Sequence, residues 1–529
     1  MIQYNQQVAQ VQKPLLYIHW WPQLIILLLV PPTCNMDITV LATLILVLLV
    51  SCMFIYSTWD KMYRPRNLPP GPMPLPIIGS VLHIKQGELV KSLNQLREKY
   101  GSVYTLYFGS RPVVILAGYQ MVKDALIDQA DEFSNRGRMS MLDRFFQAHG
   151  MILSNGERWK QLRRFTLITL RNFGMGKRSI EERIQEEAHF LTEELKTHKE
   201  SPFNPTNILV QTVSNVICSV VFGNRFDYKN LHFLKLLNLF NEVFQLLSST
   251  WGQVHSLIPE IIDPLPGPHQ RVYKILDEIL VFVSERVKMN QETLDPSNPR
   301  DFIDCFLIKM NQEKQNPNSE YTEKNMLMSL IQVFFAGTET ISSTLRHGLL
   351  ILLKHSEIQE KLHEEIDRVI GDNRCPSIED RIKMPYTDAV IHEIQRFSDV
   401  LPLNVPHSAV NDIKFHGYNI PKGTDVYPLL YCALRDPEYF ETPNKFNPNH
   451  FLDQNGSFKK EEAFIPFSTG KRICAGEGLA KMELFLFFTT ILQKFKLTTK
   501  MHLTEADISP KMTGFSNVPI SYELSFVSR

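Results

Sequence analysis

The stretch Phe467-Ser468-Thr469-Gly470-Lys471-Arg472-Ile473-Cys474-Ala475-Gly476 decides how this chain is read. It runs directly into an apolar helical pattern, so one cysteine stands in a glycine-flanked turn at a helix start, with two cations just before it. Helix N-terminal N–H groups and nearby positive charge both lower a cysteine's pKa, so a thiolate is expected at Cys474. A lone thiolate held by backbone donors is a good soft axial ligand for a haem iron. The spacing Phe-x-x-Gly-x-Arg-x-Cys gives each residue a task. Gly470 and Gly476 let backbone approach a flat macrocycle. Phe467 shields the sulfur, and Arg472 pairs with a haem propionate. A single cysteine in a large protein is usually a buried hydrophobe; the full spacing is what argues for ligation.

Working outward, the bulk of the chain is compatible with this. It has 529 residues, 44% of them hydrophobic and 21% charged, a globular composition and not a disordered one. A formal net charge of +0 argues against a general nucleic-acid binder. The seven cysteines are scattered without a C-x-x-C pair, which speaks against structural zinc and against a disulfide scaffold, and for a reducing compartment.

Residues 38–56 form an uncharged apolar run. At about 1.5 Å per residue it is just long enough to span a bilayer. Asp37 precedes it and Lys61, Arg64 and Arg66 follow, so the positive-inside rule puts the C-terminal bulk in the cytosol. A cleaved secretory signal would carry its basic residues before the apolar run. Met36 sits directly before the anchor, and residues 1–35 read as an extension of little functional weight. The expected organisation is therefore an extension (1–35), a signal-anchor (36–60), a basic and proline-rich linker (61–76) and one catalytic domain (77–529). Prolines 69, 70, 72, 74 and 76 make the linker stiff and extended.

Helical periodicity covers 121–127, 180–197, 272–289, 324–353, 358–370 and 386–397, the last opening after Pro385. Residues 102–108 and 112–117 read as a hairpin, and 411–420 and 515–526 as strands. Inside the longest helical window stands Ala336-Gly337-Thr338-Glu339-Thr340. A mid-helix glycine costs about 1 kcal/mol relative to alanine, so close approach of another group is expected at Gly337. Thr340 can back-bond to the carbonyl of Ala336 and loosen the ladder. Glu393 and Arg396 lie three apart on one helix face and can pair. Trp159 and Arg163 lie four apart, an indole N–H and a guanidinium suited to carboxylates.

The string from Pro466 to Met482 resembles the haem-binding signature of the cytochrome P-450 superfamily, in particular the microsomal family-two enzymes of animals. The likeness extends from Pro69 to the C-terminus. It implies a mainly α fold with small β-sheets (α+β) around one haem, and a monooxygenase that inserts one atom of dioxygen into lipophilic substrates: fatty acids, steroids or xenobiotics. It implies Cys474 as the axial ligand, and Arg136, Trp159, Arg163, Ala336, His407, Phe467 and Arg472 as cofactor contacts. Thr340 and Glu339 would relay protons. Glu393 and Arg396 would form a buried ion pair supporting the thiolate loop through the segment from Phe446 to Phe451, with His450 where the superfamily often has arginine. Phe334, Phe335, Leu403, Val405 and Phe515 would line the substrate pocket, with segments 139–151 and 231–257 over its entrance.

By the same resemblance, Lys160, Arg164, Lys177, Arg178 and Lys471 fall on the face where an NADPH-dependent flavoprotein reductase, or cytochrome b5, would dock by complementary charge. Localisation in the endoplasmic reticulum membrane follows, with the catalytic domain cytosolic. Asn455-Gly456-Ser457 fits a glycosylation acceptor that this topology leaves unused. Two other readings compete. A haem-thiolate isomerase or dehydratase of lipid peroxides would not need the proton relay, and a non-enzymatic membrane-tethered protein leaves the motifs jointly unexplained.

Overall fold

A computed structural model describes residues 38–63, 67–75, 77–85, 87–172, 178–510 and 515–529. The chain divides into two compact units, Met1–Tyr63 and Arg64–Arg529. Residues 1–35 and Met36 lie outside the described residues.

In the first unit α1 (Ile38–Tyr63) is a 26-residue helix. At about 1.5 Å per residue it is long enough to cross a hydrocarbon core. Its stretch Thr39–Tyr56 buries none of its apolar side chains inside the protein, with Leu46 62% and Phe54 63% exposed. An ordinary core helix would hide that stripe, so this one is consistent with a membrane anchor.

The second unit is helical, with small sheets at its margins. Its main helices are α2 (Gly156–Asn172), α3 (Arg178–Thr197), α4 (Thr206–Val221), α5 (Leu231–Ser248), α6 (Thr250–Leu257), α7 (Pro268–Glu292), α8 (Glu323–Lys354), α9 (Ser356–Val369), α10 (Pro385–Ser398) and α11 (Glu477–Lys494). The periodic windows thus end within a few residues of real helices. Their stops are chemical: Thr322 caps the start of α8 by accepting from Asn325 N, and Pro385 opens α10. The 32 residues of α8 are mostly buried, which is why its sequence is apolar nearly all round.

Strands β1 (Val103–Phe108) and β2 (Arg111–Ala117) form the expected hairpin, Val103 facing Leu116 and Phe108 facing Arg111. The hairpin extends into a five-stranded sheet through β3 (Asn135–Arg136), β4 (His407–Ser408) and β7 (Asp425–Leu429). β7 runs parallel to β2, with Val113 beside Asp425. Strands β5 (Ile413–Phe415) and β6 (Tyr418–Ile420) make the small hairpin expected over 411–420. The strand expected over 515–526 is shorter: only β9 (Ser525–Ser528) is regular, paired with β8 (Phe495–Thr498). Residues 515–517 are instead held individually by other segments. The proline-rich stretch lies against β1, where Thr105 N donates to the Pro70 carbonyl at 2.8 Å.

Gly337 has the crowded neighbour its sequence context demanded. A Cβ there would stand 2.5 Å from Cδ1 of Ile217 on α4, so the glycine permits close helix–helix packing.

Candidate functional site

The turn before α11 is built from unusual backbone. Ser468 and Gly470 both have positive φ, 62° and 73°. A Cβ on Gly470 would meet the Leu126 carbonyl oxygen at 1.7 Å. The glycine therefore seats the turn on neighbouring backbone, which corrects the expectation that it faces a macrocycle. Gly476 is different: the nearest atom to a Cβ there is Cys474 Sγ, 3.9 Å away. Asn404 Nδ2 donates to Ser468 Oγ at 2.8 Å, and Cys474 N donates to the Phe467 carbonyl at 3.0 Å. The turn is held at both ends.

Cys474 faces an inner cavity whose wall also carries Arg136, Trp159, Arg163, Thr340 and Arg472. Its sulfur is accessible, but on this inner surface. Burial pushes the thiol upward, against the lowering effect of the Gly476 N–H and of Arg163 and Arg136. The expected backbone N–H contribution is present, while the lowering charges are Arg163 and Arg136 and not the neighbouring cations of the loop. The adjacent Lys471 is exposed and pairs with Asp131, while Arg472 turns away to the Ser134 and Ser154 carbonyls. The cations that act on the sulfur come from distant segments. A coordinating metal deprotonates a thiol outright, and that supplies what the loop does not.

The cationic end of the cavity is the best test of what belongs there. Burial, with mutual repulsion, lowers Arg136 to about 9 and Arg472 to about 7, and burial lowers Arg163 as well. Among the described residues none of the three has a carboxylate partner. Trp159 is buried, its ring carries the Arg472 guanidinium at 3.8 Å, and its Nε1 has no partner. One buried donor without an acceptor, the Trp159 N–H, beside guanidiniums whose acceptors are neutral carbonyls and amides, fits a ligand that brings its own carboxylates. A haem would do so through its two propionates, and Cys474 on the same wall would offer it a soft iron ligand. The donor set fits the group.

His407 is set back from this wall. Its Nδ1 meets the Phe133 carbonyl at 2.7 Å and its Nε2 meets Arg136 Nη1 at 3.1 Å, so it acts on the cavity through Arg136. Asn155 was not foreseen from the sequence. Its Oδ1 accepts from Arg136 N at 2.6 Å and from Arg472 Nη2 at 3.0 Å, joining two cavity cations. No local pattern marks such a residue; only the fold brings 136, 155 and 472 together.

On α8, Thr340 Oγ1 donates to the Ala336 carbonyl at 2.8 Å, as expected. Ala336 and Thr340 line both the inner cavity and an adjoining apolar chamber. Glu339 lies on the chamber wall, 3% exposed, with Oε1 unpartnered. Burial raises its carboxyl to about 7, so near neutrality it can hold or release a proton.

Phe335, Val405 and Phe515 line the chamber, with Phe240 and Phe244 of α5 closing it. Leu403 lines a second small cavity under α6, which Phe515 also reaches. Phe334 is a correction: it points the other way, stacking on Phe240 at 4.9 Å within the core. Its ring packs between Phe222 and Phe240, while Phe335, about 100° around the helix, lies on the chamber wall.

The Glu393–Arg396 pair is fully buried and bidentate, with both contacts at 2.7 Å. Arg396 also donates to the carbonyls of Leu434, Pro443 and Lys445. Glu393 accepts from Asn447 N at 2.8 Å, and His450 Nδ1 stands 3.2 Å from both its oxygens. Every charge here is matched, as a buried pair requires.

Of the five cations expected on a docking face, Lys160 pairs with Glu157 and Lys471 with Asp131, while Lys177 lies outside the described residues. Cys432, the buried cysteine that could compete with Cys474, sits among Leu89, Leu93 and Leu429, its sulfur 3.4 Å from Asn94 Oδ1. It is not on the wall of the inner cavity.

The family model described as Cytochrome P450 matches residues 69–526. Cytochrome P450 2G1 of Oryctolagus cuniculus is 54% identical over 487 residues, 92% of this chain and 99% of that protein. Cytochrome P450 2C23 of Rattus norvegicus is 52% identical, covering 93% of this chain and all of the relative. Cytochrome P450 2A13 of Homo sapiens is 51% identical, covering 92% and 99%.

Proposed function

This chain belongs to the cytochrome P450 family, and from that premise we propose that Cys474 is its axial ligand, with Arg136, Trp159, Arg163 and Arg472 holding the propionates. The enzyme is an oxidoreductase, a monooxygenase of lipophilic substrates whose cofactor is haem on a cysteine thiolate. One observation carries the residue assignment. Cys474, the orphaned Trp159 N–H, the unmatched guanidiniums and Thr340 all line a single inner cavity.

When bound, thiolate-ligated haem supplies reductive activation of dioxygen. The chain's own residues supply the rest. Thr340 anchors its hydroxyl on the Ala336 carbonyl and presents its oxygen to the cavity. Glu339, protonated below about 7, stores the proton that this hydroxyl passes on. Phe335, Val405 and Phe515 orient an apolar substrate and exclude bulk water. The substrates are fatty acids, steroids or xenobiotics, oxidised by hydroxylation or epoxidation.

Electrons come from an NADPH-dependent flavoprotein reductase, with cytochrome b5 as a second donor. Arg164, which has no acidic partner among the described residues, is the cation best placed to meet an acidic donor. The anchor α1 lies in the lipid of the endoplasmic reticulum with the catalytic unit cytosolic, and residues 1–35 are an extension of little functional weight ahead of Met36. Asn455, in an exposed turn, then stays free of glycan.

The test is reconstitution of the membrane-bound protein with reductase, NADPH and a panel of fatty acids, steroids and lipophilic drugs. Oxygenated product that depends on both NADPH and dioxygen is expected. Conversion of lipid hydroperoxides without NADPH, and no NADPH-dependent product, would overturn the reading in favour of an isomerase.

A further inference from the structure

A buried residue close to the substrate chamber, Asn517, bonds to two other segments and has no part in the mechanism. Asn517 is completely buried, two positions beyond the pocket residue Phe515. Its backbone N donates to the Val400 carbonyl at 3.0 Å. Its side-chain Nδ2 donates to the Asp399 carbonyl at 2.7 Å and to the Ser398 carbonyl at 3.3 Å. Its own carbonyl lies 3.4 Å from Nε2 of His347 on α8.

These bonds have a shared geometry. Ser398 ends α10, and Asp399 follows in the left-handed region at φ 43°. The last carbonyls of a helix have no partner within it. Here an amide from a segment 118 residues away satisfies two carbonyls at that end. The chain leaving this cap runs through Val400 and Leu401 to Leu403 and Val405, which line the cavities. Phe515 lines the facing wall and meets Phe244 edge-on at 6.3 Å. Asn517 therefore ties together two pocket walls that no regular strand joins, since β9 begins only at Ser525. His347 holds the same residue from the α8 side; buried and kept neutral, it has Nε2–H to donate.

We infer that Asn517, seated by His347, is a positioning residue that sets the distance between Phe515 and the Leu401–Val405 wall and so determines which ligand shapes the pocket accepts. The inference rests on the haem assignment proposed above, and its test separates the two.

The experiment titrates full-length holoprotein spectrally with imidazole and with 4-phenylimidazole. Both ligate the iron through nitrogen, but only the second presents a ring to the pocket walls. The variants are Asn517→Asp, which keeps the shape and loses the donor, and His347→Leu, which removes only the 3.4 Å contact. In Asn517→Asp the Kd for 4-phenylimidazole should change about tenfold, since misplacement of a wall by roughly 1 Å is costly. The Kd for imidazole and the haem content should stay within about twofold. His347→Leu should move the same ratio in the same direction by less, and it decides the matter if Asn517→Asp does not fold. An unchanged ratio of the two Kd values, or parallel changes in both, would overturn the inference while leaving the haem assignment standing. No spectral response of the parent protein to imidazole would overturn both.

Discussion

Two buried glutamates show how differently one side chain is used in two regions. Glu393, in the frame behind the thiolate turn, is matched by two Arg396 contacts, a backbone N–H and His450. Glu339, in the wall of the apolar chamber, has an oxygen with no partner and a carboxyl raised to about 7 by burial. A satisfied buried carboxylate is a structural member, and an unsatisfied one is a candidate for chemistry. The frame is rigid because its electrostatics are closed. On the proposed function, the wall would pass protons because its electrostatics are left open.

Breaking the frame should have the largest effect. Arg396→Ala leaves Glu393 as an uncompensated buried charge, a loss of about 3–5 kcal/mol. Little or no haem-loaded protein should be recovered, measured as haem per polypeptide; a normally loaded variant would refute the contrast. Opening the wall further should cost turnover and not folding. Glu339→Gln should lower product formation by roughly 10²-fold while haem loading is unchanged, with more reduced oxygen lost as peroxide.

The same variant carries a stability signature with a definite sign. An acid whose folded pKa is raised opposes folding above its unfolded value. The penalty is absent below about 4.5, grows as pH rises, and is complete above about 7. Relative to Glu339→Gln, the parent should therefore lose up to roughly 3 kcal/mol between those limits, readable in denaturant midpoints. A difference flat in pH would show that Glu339 is paired after all. The smallest effect belongs to the cationic end. Trp159→Phe removes the orphaned N–H and shrinks the ring under Arg472, so haem transfer to an apo-acceptor should accelerate about tenfold.

The sequence was most legible where chemistry is local. Helices α3, α7, α8, α9 and α10 follow directly from periodicity and caps, and the pair Glu393–Arg396 and the Thr340–Ala336 bond follow from helical spacing. Legibility failed where long-range packing decides. Gly470 is required by the Leu126 carbonyl, more than 340 positions earlier in the chain. Strands β3, β4 and β7 assemble from pieces too short to show alternation. Phe334 and Phe335 are equally apolar, and only the rotation of α8 sends one to the core and the other to the chamber. Asn155 and Asn517 bond to segments that the sequence keeps far apart.

The central claim concerns which sulfur binds the iron, and the chain offers a control in Cys432. The most direct measurement is the carbon-monoxide difference spectrum of the reduced protein in Cys474→Ala and Cys432→Ala. Cys432→Ala should keep the thiolate-type band at full amplitude per haem, and Cys474→Ala should lose it. A thiolate band that survives in Cys474→Ala, or vanishes in Cys432→Ala with haem still bound, would contradict that claim.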